Sequence, residues 1–185
     1  GITPDRAETG YGWLELAGAA GTEPVPLTRF VEKPDAARAE AMLAAGNYLW
    51  NAGIFLFSAR SMLAAFTAHA PDLLPPVRAA LEQARPDLGF LRLDPGAWSK
   101  AASISIDYAV MERAGNLSVV AYDAGWNDLG GWDAVAREMG ADAAGVSIAG
   151  AVTAIDCAQT LLRSDSEGVE LVGIGLSNII AVAMN

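Results

Sequence analysis

Positive charge is scarce in this sequence: 12 Lys and Arg stand against 22 Asp and Glu, for a net charge of −10 and a pI near 4.4. Nucleic-acid binding depends on basic side chains that displace counterions from phosphates. No Lys/Arg cluster occurs, so no nucleic-acid partner is expected. A phosphorylated small molecule remains open, because one lysine and one metal ion can offset local charge. Cysteine is nearly absent as well. The single Cys157 rules out an intrachain disulfide, fits a reducing cytoplasm and reads as a small buried hydrophobe. Long apolar runs and a basic-then-apolar leader are both missing, so the expectation is a cytoplasmic protein with no membrane partner. Charge of either sign is thin, at 18% of the 185 residues, and 52% are apolar. That charged share lies below the ~25% of ordinary domains, which favours a sizeable core over disorder.

Residues 11–16 and, more loosely, 26–32 alternate as strands do. Pro34 ends the second strand and is expected to keep Lys33 extended. Residues 35–45 predict an alanine-rich helix with Asp35 as its cap and Gly46 as its stop. The turn at residues 50–53 precedes a wholly apolar run, residues 54–57, which predicts a strand buried on both faces. Two helices broken near Pro71, Pro75 and Pro76 follow, then an irregular stretch over residues 86–104. A helix from Ser105 to about Ala114, a strand over 117–122 and a helix over 133–139 complete the α/β part. From Val146 onward, short β-branched bursts separated by Gly, Ser, Asp and Asn replace helical patterning. Leu161-Leu162 and Ile179-Ile180 recur at the spacing of one β-solenoid coil. The domains expected are therefore 1–145, α/β, and 146–185, all-β.

Three stretches carry the chemistry. In Phe30-Val31-Glu32-Lys33-Pro34, Glu32 can accept hydrogen bonds from sugar hydroxyls while Lys33 meets a phosphate as a point charge. The same pair also fits an ordinary surface ion pair. In Trp50-Asn51-Ala52-Gly53, the Asn51 amide offers donor and acceptor to a hydroxyl, though Asn and Gly also make plain turns. In Trp126-Asn127-Asp128-Leu129-Gly130-Gly131-Trp132, Asp128 suits Mg²⁺, or alternatively a turn or helix cap. Asp107 reads as a helix cap, His69 as a helix-end residue, and Trp98 and Trp132 as packing or loop anchors.

In this order the three stretches resemble the sugar nucleotidyltransferases, and specifically the bacterial mannose-1-phosphate guanylyltransferases. Gly1-Ile2-Thr3-Pro4 with Glu8-Thr9-Gly10-Tyr11-Gly12-Trp13, then Tyr48-Leu49-Trp50-Asn51-Ala52-Gly53-Ile54-Phe55, then Ser105-Ile106-Asp107-Tyr108-Ala109-Val110-Met111-Glu112 extend the likeness along nearly the whole chain. Gly131 stands where serine is common in the family. The resemblance implies a fold: the C-terminal, sugar-phosphate half of a Rossmann-like domain with a GT-A-type mixed sheet, then a short left-handed β-helix. It implies a reaction too, transfer of GMP from GTP to mannose 1-phosphate, giving GDP-mannose for bacterial polysaccharide and pyrophosphate. Residue by residue, it assigns Glu32 and Asn51 to the mannose hydroxyls, Lys33 to the phosphate, Gly12 to close backbone contact and Asp128 to catalytic Mg²⁺. A homodimer through the β-helix is implied, and many relatives continue into a phosphomannose isomerase domain. The family's glycine-rich nucleotide loop is not among these residues, so the chain alone is expected to be inactive. The alternatives are another sugar-1-phosphate nucleotidyltransferase or a non-catalytic assembly module.

Overall fold

The computed structural model describes residues 1–184. The chain forms two compact units, Gly1–Trp126 and Asn127–Asn185.

The first unit is built on a four-stranded sheet in the order β3-β1-β2-β6, with β1 Gly12–Leu16, β2 Val25–Glu32, β3 Tyr48–Trp50 and β6 Ser118–Val119. Successive residues of β1 point to opposite faces, so each face collects its own core. Leu14 and Leu16 join Phe30, Leu49 and Val119 beneath Ala109, Val110 and Met111. Trp13 joins Tyr11, Tyr48 and Trp50 on the other face, against Ala39 and Met42 of helix α1, Ala36–Ala45. Trp13 is fully buried. Asp35 does cap α1, accepting from the Arg38 N–H at 2.9 Å, and Gly46 at φ 71 ends it in the left-handed conformation glycine tolerates. Helices α2, Ala59–His69, and α3, Leu74–Glu82, are separated by a short 3₁₀ turn at Pro71–Leu73. Only Pro71 breaks the run. Pro75 and Pro76 lie in the first turn of α3, where a missing N–H costs nothing. A hairpin, β4 Arg85–Asp87 with β5 Phe90–Arg92, and the short helix α4 Pro95–Trp98 occupy the stretch that lacked pattern.

The four-stranded sheet is antiparallel at every pairing, and the parallel pairings of the described residues lie in the second unit. Several elements depart from the sequence-based expectation. Residues 54–57 form no strand, and Ile54 and Leu56 are 77% and 102% exposed. A strand buried on both faces needs hydrogen-bonding neighbours, and among the described residues none pairs with this run. The strand expected over 117–122 shrinks to Ser118–Val119, whose partners are Val25 and Pro26. The helix expected from Ser105 is a π-helical turn, Asp107–Met111. Lys33 is left-handed, φ 45, rather than extended. Pro34 disfavours the right-handed helical region for the residue before it, and the left-handed region still satisfies that restriction.

The second unit carries helix α5, Trp132–Met139, and five strands. These are β7 Val146–Ala149, β8 Val152–Ile155, β9 Thr160–Ser164, β10 Leu171–Ile174 and β11 Ile180–Ala183. Consecutive strands alternate between two sheets, β11-β9-β7 and β10-β8, and every pair is parallel. That is a solenoid-like coil. Leu161 pairs with Ile180, one residue beyond the spacing read from sequence. Leu161 and Leu162 are the buried centre. Gly173 makes room for Leu162, since a Cβ there would lie 2.7 Å from Leu162 Cδ1. Cys157 is only half-buried, its Sγ lying 3.4 Å from the Ile155 carbonyl oxygen.

Candidate functional site

Pairing of β1 with β2 sets Gly12 opposite Glu32, and pairing of β1 with β3 sets Trp13 opposite Trp50. The ends of three strands therefore meet. Asn51 follows β3 directly and donates its N–H to the Gly12 carbonyl at 2.7 Å. Lys33 follows β2 and donates its N–H to the Tyr11 carbonyl at 3.2 Å. Its left-handed turn brings Nζ to 3.6 Å from Glu32 Oε1. The sheet thus gathers Gly12, Glu32, Lys33 and Asn51 at one end. Gly12 is closely packed here: a Cβ would sit 2.7 Å from Glu32 Oε2, 3.1 Å from Asn51 Cβ and 3.2 Å from Phe30 Cε1, so any side chain would displace the Glu32 carboxylate. Beside it, Tyr11 packs edge-on against Trp50 and Trp126, with ring centroids at 5.3 and 5.5 Å. Arg6 lies over the Trp50 ring at 4.7 Å.

Two carboxylates not assigned from sequence complete the cluster. Asp107 Oδ1 accepts from Asn51 Nδ2 at 3.2 Å, and Glu112 Oε1 accepts from the Glu32 N–H at 2.9 Å. Asp107 is therefore no helix cap. Ser105 Oγ takes the nearby Tyr108 N–H instead, at 3.4 Å. The signal for both acids lay in the 105–112 stretch, where Asp107 and Glu112 bracket the buried Ala109, Val110 and Met111.

Burial raises the Glu32 carboxyl above the ordinary glutamate value. Asp107 and Glu112 push the same way, and Lys33 opposes them. The native carboxyl consequently binds its proton more tightly than the unfolded chain does. Its contribution to stability is full below the unfolded value near ~4.3 and is lost as pH rises through the raised folded value. At neutral pH an ionised Glu32 is a standing cost, which suits a group kept for a ligand. The variant Glu32→Gln is thus expected to melt at a higher temperature than the parent at about pH 8 and to show no gain near about pH 4. Calorimetric melts at both pH values decide it; an unchanged or lower melting temperature at the higher pH contradicts this reading of Glu32.

Asp128 lies in the second unit. Its Oδ1 accepts from the Gly130 N–H at 3.1 Å, across a left-handed Leu129 at φ 48. Helix α5 starts after Gly131 without a side-chain cap, so Asp128 is a turn residue and not a cap. Among the described residues, no three His, Cys, Asp or Glu gather as a metal cluster. One exposed carboxylate still fits Mg²⁺, which binds through one or two carboxylates with phosphate and water oxygens as the rest. Among the described residues, no helix is long and apolar enough to cross a membrane.

Residues 1–144 match the nucleotidyl transferase family. The chain belongs to that family. Similar proteins include a mannose-1-phosphate guanylyltransferase of Sinorhizobium fredii (strain NBRC 101917 / NGR234), 42% identical over 98% of this chain and 35% of its own length. The xanthan biosynthesis protein XanB of Xanthomonas campestris pv. campestris (strain B100) is 40% identical over 98% of this chain and 38% of its own. This nucleotidyl transferase chain thus spans well under half the length of the curated relatives it matches. A crystal structure described as mannose-1-phosphate geranyltransferase, from Thermus thermophilus, superposes with a TM-score of 0.79 at 28% identity, over all of this chain and 52% of that one. The α/β nucleotidyltransferase-type fold follows from these likenesses.

Proposed function

We propose that this chain supplies the sugar-phosphate side of an enzyme that transfers GMP from GTP to mannose 1-phosphate, giving GDP-mannose and pyrophosphate. The observation that carries this reading is the meeting of Gly12, Glu32, Lys33 and Asn51 at one sheet end. Glu32 only accepts hydrogen bonds when ionised and Asn51 can both donate and accept, a pairing suited to vicinal hydroxyls. Lys33 brings a point charge suited to phosphate. A sugar phosphate has its second pKa near ~6, so at neutral pH it attacks the α-phosphorus of GTP without a general base. The bond to the α-phosphorus forms as the bond to pyrophosphate breaks. The protein's work is alignment and charge neutralisation. Asp128 would hold Mg²⁺, which when bound neutralises phosphate oxygens.

The relatives named as guanylyltransferases support the choice of GTP, and the parallel coil of the second unit supports a homodimer through that unit. Full-length protein supplied with mannose 1-phosphate and Mg²⁺ is expected to convert GTP to GDP-mannose far faster than it uses UTP or dTTP, and to elute as a dimer by light scattering. Equal use of the three nucleotides would move the reading to a relative enzyme acting on another sugar 1-phosphate. A monomer would remove the second unit's assembly role.

A further inference from the structure

The π-helical turn Asp107–Met111, with Glu112 capping its end, touches the two groups assigned to the sugar, yet neither the Asp107 nor the Glu112 carboxylate is needed to explain ligand binding. The Asn51 carboxamide is held at both ends. Its Oδ1 accepts from the Gly53 N–H at 3.0 Å, and its Nδ2 donates to Asp107 Oδ1 at 3.2 Å. A backbone N–H can only donate and a carboxylate can only accept, so together they fix which end of the amide is oxygen. One N–H and one lone pair are then left in set directions. At the end of the same turn, Glu112 Oε1 takes the Glu32 N–H at 2.9 Å, at the very residue whose side chain is assigned to the ligand.

The π geometry makes this double contact possible. The Glu112 N–H donates to the Asp107 carbonyl at 2.9 Å, an i→i+5 bond that stacks the two residues. In an α-helix of 3.6 residues per turn, residues five apart point in different directions. Between the two acids, Ala109, Val110 and Met111 are buried in the core and pin the turn in place. Two carboxylates beside a partly buried glutamate also oppose its ionisation, a cost that packing alone does not require.

We propose that this turn is the positioning element of the sugar-phosphate end, Asp107 setting the polarity and direction of the Asn51 amide and Glu112 anchoring the Glu32 backbone, a role that rests on the function proposed above. The test uses full-length protein and steady-state kinetics with mannose 1-phosphate and GTP varied in turn. Asp107→Ala is expected to raise KM for the sugar phosphate about tenfold, the loss of one charge-assisted hydrogen bond, with kcat and KM for GTP little changed. Asp107→Asn keeps an acceptor oxygen and is expected to restore most of the affinity. Glu112→Ala, at an exposed residue, is expected to raise the same KM several-fold without loss of folding, and this variant carries the test if Asp107→Ala does not fold. Unchanged KM in the folded variants, or an equal loss toward GTP, overturns the positioning role. A parent enzyme that does not bind mannose 1-phosphate contradicts the function itself and overturns this role with it; a parent that binds while the variants bind equally well overturns the positioning role alone.

Discussion

Full-length protein carrying Lys33→Met is expected to lose about 10²–10³-fold in kcat/KM for mannose 1-phosphate, the scale on which a single group stabilising a developing charge acts. Methionine keeps most of the length and the apolar stem of lysine and removes the charge. The Lys33 side chain is more than half exposed and lies 3.6 Å from Glu32 Oε1, so little packing is lost with the ammonium. The backbone argues in the same direction. Lys33 sits at φ 45, a conformation that costs a residue with a Cβ about 1–3 kcal/mol. Glycine would relieve that strain, so a lysine there asks for a benefit from its charge. Steady-state kinetics with the sugar phosphate varied, beside a thermal melt, separates the two contributions. A Lys33→Met enzyme that keeps its kcat/KM removes the phosphate role from this residue.

The second large effect is expected at Gly12. Adding one methyl group in Gly12→Ala would place Cβ 2.7 Å from Glu32 Oε2 and 3.1 Å from Asn51 Cβ. The nearer of these is the tip of a flexible side chain, so the Glu32 carboxylate moves and the strand stays. Displacing a ligand-facing group by about an ångström costs on the order of 10²-fold in rate. Gly12→Ala is therefore expected to fold with nearly parental stability and to lose about that factor in kcat/KM. Binding measurements on the purified variant, read beside its melting temperature, check it. A collapse of stability with parental activity in the surviving folded fraction would mean that Gly12 serves the sheet and not the site.

The parts of this site legible in the sequence are those set by local chemistry. Asp35 and Gly46 bound a helix that forms as its caps dictate. Glu32-Lys33 stands at a strand end as an adjacent carboxylate and ammonium, and Asn51 stands at another in a turn, both legible from local composition. What was not legible depends on partners far away in the chain. Residues 54–57 have the composition of a doubly buried strand, but composition does not supply a neighbouring strand, and Ile54 and Leu56 lie exposed. The sequence pattern reads Asp107 as a cap because it predicts a helix beginning there. Its role follows from Asn51, a partner 56 residues away in the sequence that local pattern does not encode. The crowding at Gly12 is likewise a product of register, since it exists only because β2 sets Glu32 opposite that glycine. The tail was readable as β-rich from its β-branched bursts, and the one-residue difference in coil spacing arises from strand pairing, which those bursts do not encode.

This sheet end is expected to hold the sugar phosphate and not the nucleotide. Paired calorimetric titrations of full-length protein with mannose 1-phosphate and with GTP test it most directly, comparing the parent with Lys33→Met and Gly12→Ala. The predicted result is a loss of mannose 1-phosphate affinity of at least about tenfold in each variant, with GTP affinity unchanged. Unchanged sugar-phosphate affinity, or a loss confined to GTP, would contradict it.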